Sequence, residues 1–208
     1  MPVSSARQVA VLFARRDSPY KQIASCDVYD IDRDARSYPG GLPVIAHPPC
    51  RAWGRLAHLS RPMPHEKSLA DFALSCVRRN GGVLEHPMAS KFWRHARLPL
   101  PGWLPDEYGG ITIQIDQCDF GHPARKATWL YIVGVPFHLL PAWPEGQGVP
   151  THCITSSIRP FPLPEVSRYW REATPPVLAH WLIQVARLSA QLAKKKPPPW
   201  SAAGGSLL

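Results

Sequence analysis

Short apolar runs ended by charge recur along the chain, and two longer stretches show a helical rhythm instead. Residues 8–14 (QVAVLFA) are brief, rich in β-branched side chains and closed by arginines, as expected of a strand covered on both faces. Residues 26–31, 42–47, 82–85 and 127–134 have the same character, while 111–116 (ITIQID) alternates like a half-buried strand. Between two of these runs, residues 66–79 place Leu69, Phe72, Ala73, Cys76 and Val77 on one helical face, with Gly81-Gly82 as a stop. A second helix opens at Pro175-Pro176 and carries Val177, Leu178, Trp181, Leu182, Val185, Ala186 and Leu188 as far as about residue 192. Strands alternating with a crossover helix predict a doubly wound, mostly parallel α/β sheet, which binds ligands at the carboxyl ends of its strands.

The chain of 208 residues suits one domain, expected over 1–193, followed by a basic low-complexity tail over 194–208 that reads as disordered. Residues 136–164 carry seven prolines without a period and read as a loop wrapped over the core. A hydrophobic fraction of 45% excludes disorder for most of the chain. No apolar run reaches the roughly 20 residues needed to span a bilayer, and the first residues lack the pattern of a secretory signal. Five scattered cysteines without a CxxC pair fit free thiols in a reducing cytoplasm, so the expected location is cytoplasmic. The net charge of +9 favours a polyanionic partner such as nucleic acid, although a basic soluble surface gives the same number.

Two segments carry candidate chemistry. In Val44-Ile-Ala-His-Pro-Pro-Cys50-Arg-Ala-Trp53 a buried strand runs into two rigid prolines and then a thiol. Arg51 and Arg55 are placed to lower the pKa of Cys50, because thiolate is the nucleophilic form; a structural cysteine beside a proline turn is the plainer reading. Further on, Gly81-Gly-Val-Leu-Glu85-His86-Pro87 ends another strand in a carboxylate. At the mouth of a dry crevice Glu85 would keep its proton and act as an acid, whereas a solvated strand end would leave it inert.

A PPC loop after one strand and a Glu-x-Pro triplet after the next resemble motifs of the DNA cytosine-5 methyltransferases, although PPC also occurs in thymidylate synthases. Three further segments match that family in order. Asp30-Ile-Asp32, with Tyr38, is similar to its acidic turn at the cofactor ribose. Phe120-Gly-His-Pro-Ala-Arg125-Lys126 through Gly134 is similar to its FG-x-P segment, and Ala173-Thr-Pro-Pro-Val-Leu-Ala179 to its returning helix. The resemblance implies a Rossmann-like, methyltransferase-like fold and a methyl transfer from S-adenosylmethionine to cytosine in DNA. Cys50 would add to C6 of a flipped base, Glu85 would hold N3, and Arg125 or Lys126 would hold O2. Phe13, Asp30, Asp32 and Pro48 would bind the cofactor. Arg51, Trp53, Arg55 and Lys126 would contact DNA and support the extruded base.

The sequence also departs from that family. The first strand lacks the glycine-rich turn; Arg15, Arg16, Asp17, Ser18 and Lys21 follow instead and suit a phosphate or carboxylate, or simply an exposed charged loop. The separation of 18 residues between Leu12 and Asp30 leaves the first helix shortened or absent. Ala124, Lys126 and Thr128 replace a glutamine and two arginines, and no recognition domain separates residues 134 and 164. Two alternatives therefore stand beside the methyltransferase reading: a pyrimidine-modifying enzyme that uses another donor, and an inactive DNA-binding protein of phage or mobile-element origin. The nine histidines include no metal-ligand spacing, so no metal is expected, though His47 and His86 each flank a candidate catalytic residue.

Overall fold

The computed structural model describes residues 7–54, 57–144, 148–155 and 163–195. Six strands form one mixed, mostly parallel sheet: β1 (Val9–Leu12), β2 (Cys26–Val28), β3 (Val44–Ala46), β4 (Gly82–Pro87), β5 (Ile111–Asp116) and β6 (Ala127–Val133). Their order is β2-β1-β3-β4-β6-β5; the first four are parallel, and β6 runs antiparallel to both neighbours. Helices α1 (Glu66–Asn80), α2 (Lys91–His95), α3 (Arg168–Glu172) and α4 (Pro176–Lys195) complete the single α/β domain. Among the described residues no helix is long and apolar enough to cross a membrane.

The period-two pattern of the strands explains the two-sided core. Val9, Val11, Ile45, Val83, Leu130 and Ile132 face α4, which contributes Leu178, Leu182, Val185 and Ala186. Ala10, Leu12, Val44, Ala46, Leu84 and Tyr131 face the other layer, where α1 contributes Ala70, Ala73, Leu74 and Val77 and α2 contributes Phe92 and Trp93. Gly82 lets β4 start tight against β3, since a Cβ there would lie 2.0 Å from the Val44 carbonyl oxygen.

The predicted strands and both long helices are present; β1, β2, β3 and β6 are shorter than expected, while β4 runs on to Pro87. Strand β2 stops at Val28, and Ile31, expected inside it, is 77% exposed. Asp30 ends the extended run by accepting the backbone N–H groups of Asp32 and Arg33 at 2.9 and 3.1 Å. The link from β1 to β2 contains only one 3-10 turn, Pro19–Gln22, as the short spacing anticipates. Helix α4 continues past its predicted end to Lys195, and the rest of the predicted tail lies outside the described residues. In the proline-rich stretch the described parts are mainly irregular, apart from a 3-10 turn at Phe137–Leu139.

The strand order reverses at β1. The chain leaves β1 for β2 on one side and returns to β3 on the other, so the loops after β1 and β3 diverge and open a crevice at their carboxyl ends.

Candidate active site

A cleft of about 430 Å³ lies at this divergence. The loop after β1 brings Phe13, the loop after β3 brings Pro48 and Cys50, the end of β4 brings Glu85, and the residue before β6 brings Lys126. Helix α3 forms the far wall with Tyr169 and Glu172. Cys50, Glu85 and Lys126, separated by tens of residues in sequence, thus share one cavity.

Glu85 is held from two sides. Oε2 bonds His47 Nδ1 at 3.1 Å, and His47 Nε2 bonds the buried Tyr20 hydroxyl at 3.2 Å. Oε1 accepts from Gln117 Nε2 at 3.3 Å, and the same amide nitrogen donates to Thr128 Oγ1 at 3.0 Å. Burial pushes the Glu85 pKa up, but the His47 hydrogen bond and charge, with Lys126 beyond, outweigh it and hold the carboxyl below its ordinary range. Glu85 is therefore a carboxylate at rest, which corrects the expectation of a protonated acid: the crevice is polar on the side that matters.

The thiol also departs from expectation. Cys50 is exposed as a residue, yet the cleft walls crowd its sulfur, and desolvation followed by the Glu85 charge raises its pKa; Lys126 opposes them less strongly. Arg51 does not lower it, because its guanidinium is turned to the buried Glu66, with Nε at 2.6 and 2.7 Å from the two carboxylate oxygens. Arg55 lies outside the described residues. Lys126 Nζ donates to the Ala173 carbonyl at 3.2 Å, and burial lowers its pKa against the pull of Glu85 and Cys50. The resting site thus pairs a protonated thiol with a partly desolvated amine and a fixed carboxylate.

Other predicted residues take different places. Trp53 is 3% exposed, donates Nε1–H to the Lys67 carbonyl at 3.2 Å and packs edge-on against Phe92, so it anchors the Cys50 loop in the core and is not available to DNA. Arg125 points to solvent and pairs with Asp116 at 3.5 Å; it does not line the cleft, which leaves Lys126 alone of the two candidate O2 ligands. Sequence reading missed Gln117, Tyr20 and α3. Gln117 sits where β5 ends against the start of β6, a register contact that no local motif announces. His47 was flagged by its position and does converge on Glu85; His86 instead is buried, bonding Ser90 Oγ at 2.7 Å.

The residues assigned to a methyl donor divide. Phe13 and Pro48 line the cleft. Asp30 does not: its side chain is 4% exposed, Oδ2 is ion-paired with Lys21 and Oδ1 takes two backbone N–H groups. Asp32 is exposed and pairs with Arg16 at 2.6 Å. Neither of these two carboxylates is left to face a ribose in the cleft, and Arg15, bonded to Asp17 and to the Tyr169 carbonyl, lies where the glycine-rich turn was sought. These residues do not fit S-adenosylmethionine. Nor do they form a phosphate cradle, since Arg15, Arg16 and Lys21 each have a carboxylate partner. No group of three or more His, Cys, Asp or Glu suited to a metal ion occurs among the described residues. Comparison of the chain with protein-family models, curated proteins and solved structures gives no match.

Proposed function

We propose that the protein is a pyrimidine-modifying enzyme of the DNA cytosine-5 methyltransferase type, acting through Cys50 on an extrahelical cytosine. One observation carries the reading: Cys50, Glu85 and Lys126, matched to that family by order along the chain, line a single cleft at the crevice between β1 and β3. A cytosine seated there would meet a nucleophile for C6, a carboxylate for the N3 and N4 edge and a cation for O2.

The chemistry follows from the charges. The thiol proton leaves to solvent at the open mouth, with Lys126 as the counter-ion of the thiolate. Sγ bonds C6, the electrons of the 5,6 double bond move to C5, and Lys126 neutralises the charge that reaches O2. Addition makes N3 more basic, so N3 takes a proton from solvent, shares it with the Glu85 carboxylate and gives it back when Sγ leaves. C5 then takes a proton from solvent. Loss of the original C5 hydrogen to solvent and expulsion of Sγ then restore cytosine; this exchange is the half of the chemistry that these residues supply by themselves, and net modification at C5 requires an electrophilic donor other than S-adenosylmethionine. Extruding the base costs a few kcal/mol, least where it is already unpaired, so single-stranded DNA is the favoured substrate.

The test is release of tritium from DNA labelled at cytosine C5. Wild-type protein releases it with no cofactor, faster from single-stranded than from duplex DNA, and Cys50→Ala abolishes release. A folded wild-type protein that releases none from DNA or from free deoxycytidylate overturns the proposal. The raised pKa of Cys50 favours a second reading, an inactive DNA-binding protein; it gains if DNA is bound, no tritium is released and Cys50→Ala leaves affinity unchanged.

A further inference from the structure

Glu85 is held through both carboxylate oxygens by side chains from two separate elements, His47 on Oε2 and Gln117 on Oε1, and a third element fixes Gln117 in turn. His47 follows β3, Gln117 follows β5, and Thr128, which fixes Gln117, is the second residue of β6. Gln117 is 1% exposed and Thr128 is fully buried. Thr128 is itself anchored, since its hydroxyl donates to the Lys126 carbonyl at 3.0 Å. The chain Glu85–Gln117–Thr128–Lys126 therefore ties the carboxylate to the backbone of the residue that supplies the cleft's cation.

The orientation of the Gln117 amide is informative. With Nε2 toward Glu85 it donates to both Glu85 and Thr128, but its own Oε1 is buried without a hydrogen-bond partner. Buried acceptors are normally satisfied. Turning the amide would place Oε1 against a carboxylate oxygen, which is repulsive when Glu85 is charged. The orphaned acceptor is thus what an ionised Glu85 imposes on its neighbour.

We infer that Gln117 is a positioning residue for Glu85: together with the Tyr20–His47 pair it fixes the plane and the charge of the carboxylate that meets the pyrimidine edge. This rests on the proposed pyrimidine chemistry for its consequence, though not for its geometry. The groups facing Glu85 are His47 from the β3 loop, Lys126 before β6, Cys50 across the cleft, the buried Tyr20 behind His47, and the adjacent His86. Removing the Gln117 donor takes away a hydrogen bond to the charged form, so the carboxylate titrates at higher pH.

The experiment follows the Glu85 side-chain carboxyl by carbon-13 NMR titration, assigned with Glu85→Gln, alongside tritium release. Gln117→Met keeps the volume and removes both donors; it raises the Glu85 midpoint by about one pH unit, lowers tritium release at least about 10-fold and leaves DNA affinity within about 2-fold. Thr128→Val keeps Gln117 and removes its anchor, giving a smaller shift in the same direction. An unchanged midpoint and unchanged release in folded Gln117→Met overturn the inference while leaving the pyrimidine reading intact. A shifted midpoint in a protein whose wild type releases no tritium supports Gln117 as the positioning residue and removes the pyrimidine reading.

Discussion

The two walls of the crevice are built by different means. The wall after β3 and β4 rests on buried anchors: Trp53 in the aromatic core, Glu66 under Arg51, and His86 beneath α2. The wall after β1 and β2 rests on ion pairs that reach solvent, Arg15 with Asp17, Arg16 with Asp32, and Lys21 with Asp30. Buried anchors fix a loop to within a rotamer, and exposed pairs contribute little. Cys50 and Glu85 therefore stand on the rigid wall, while the charges of the opposite wall are turned on one another.

Trp53 gives the sharpest test of the rigid wall. Truncating a fully buried tryptophan costs about 3–5 kcal/mol, so Trp53→Ala should lose about that much in urea unfolding, and Trp53→Phe much less. Because the Cys50 carbonyl accepts from the Trp53 backbone N–H at 2.9 Å, loosening this turn should also change how fast a small alkylating reagent finds Cys50, the one exposed cysteine. A loss below about 1 kcal/mol would return Trp53 to the list of residues free to meet DNA.

His86 tests the same wall through pH. Burial against Phe92 and Trp93 lowers its pKa to about 4, with Glu85 opposing. The native state thus binds fewer protons than the unfolded chain between about pH 6.5 and 4. Stability from this group is complete above the unfolded value and falls as the pH drops toward 4, by about 3 kcal/mol in all. Below that no further change comes from His86. Urea unfolding at several pH values should show this slope, and His86→Gln should flatten it; a wild-type protein equally stable at pH 7 and 4.5 would contradict a neutral buried imidazole.

Periodicity made the sheet legible, because strands covered on both faces leave short apolar runs that little else produces. The antiparallel insertion of β6 between β4 and β5 was not legible: strand direction depends on which edge a returning chain meets. In the site, Cys50 and Glu85 were legible because each ends an apolar strand beside proline. Their charge states were not, since these depend on His47, Gln117 and Lys126 arriving from elsewhere in the chain. Trp53 was misjudged because a tryptophan three residues after a loop cysteine looks the same in sequence whether it points to solvent or to the core. Asp30 does follow the second strand, but it is turned away from the cleft, and nothing local showed that Lys21 would close on it.

Lys21 is the smallest and most discriminating case. Its hydrogen bond is the chief cause that lowers the Asp30 pKa, ahead of opposing burial and of the backbone N–H groups of Asp32 and Arg33. For a carboxylate held low, stability is present above the ordinary value and is lost as pH falls through the folded one. Lys21→Met should therefore destabilise the protein by about 1 kcal/mol at neutral pH, and the difference from wild type should vanish in acid once Asp30 is protonated in both. The same pair of proteins tests whether the wall is closed. Calorimetry with S-adenosylmethionine should give no binding to the wild type at millimolar concentration, because the ammonium already holds the oxygen that a ribose would need. Micromolar binding by the wild type would mean that the ion pair opens readily, and the contrast between the two walls would then be one of the resting state alone.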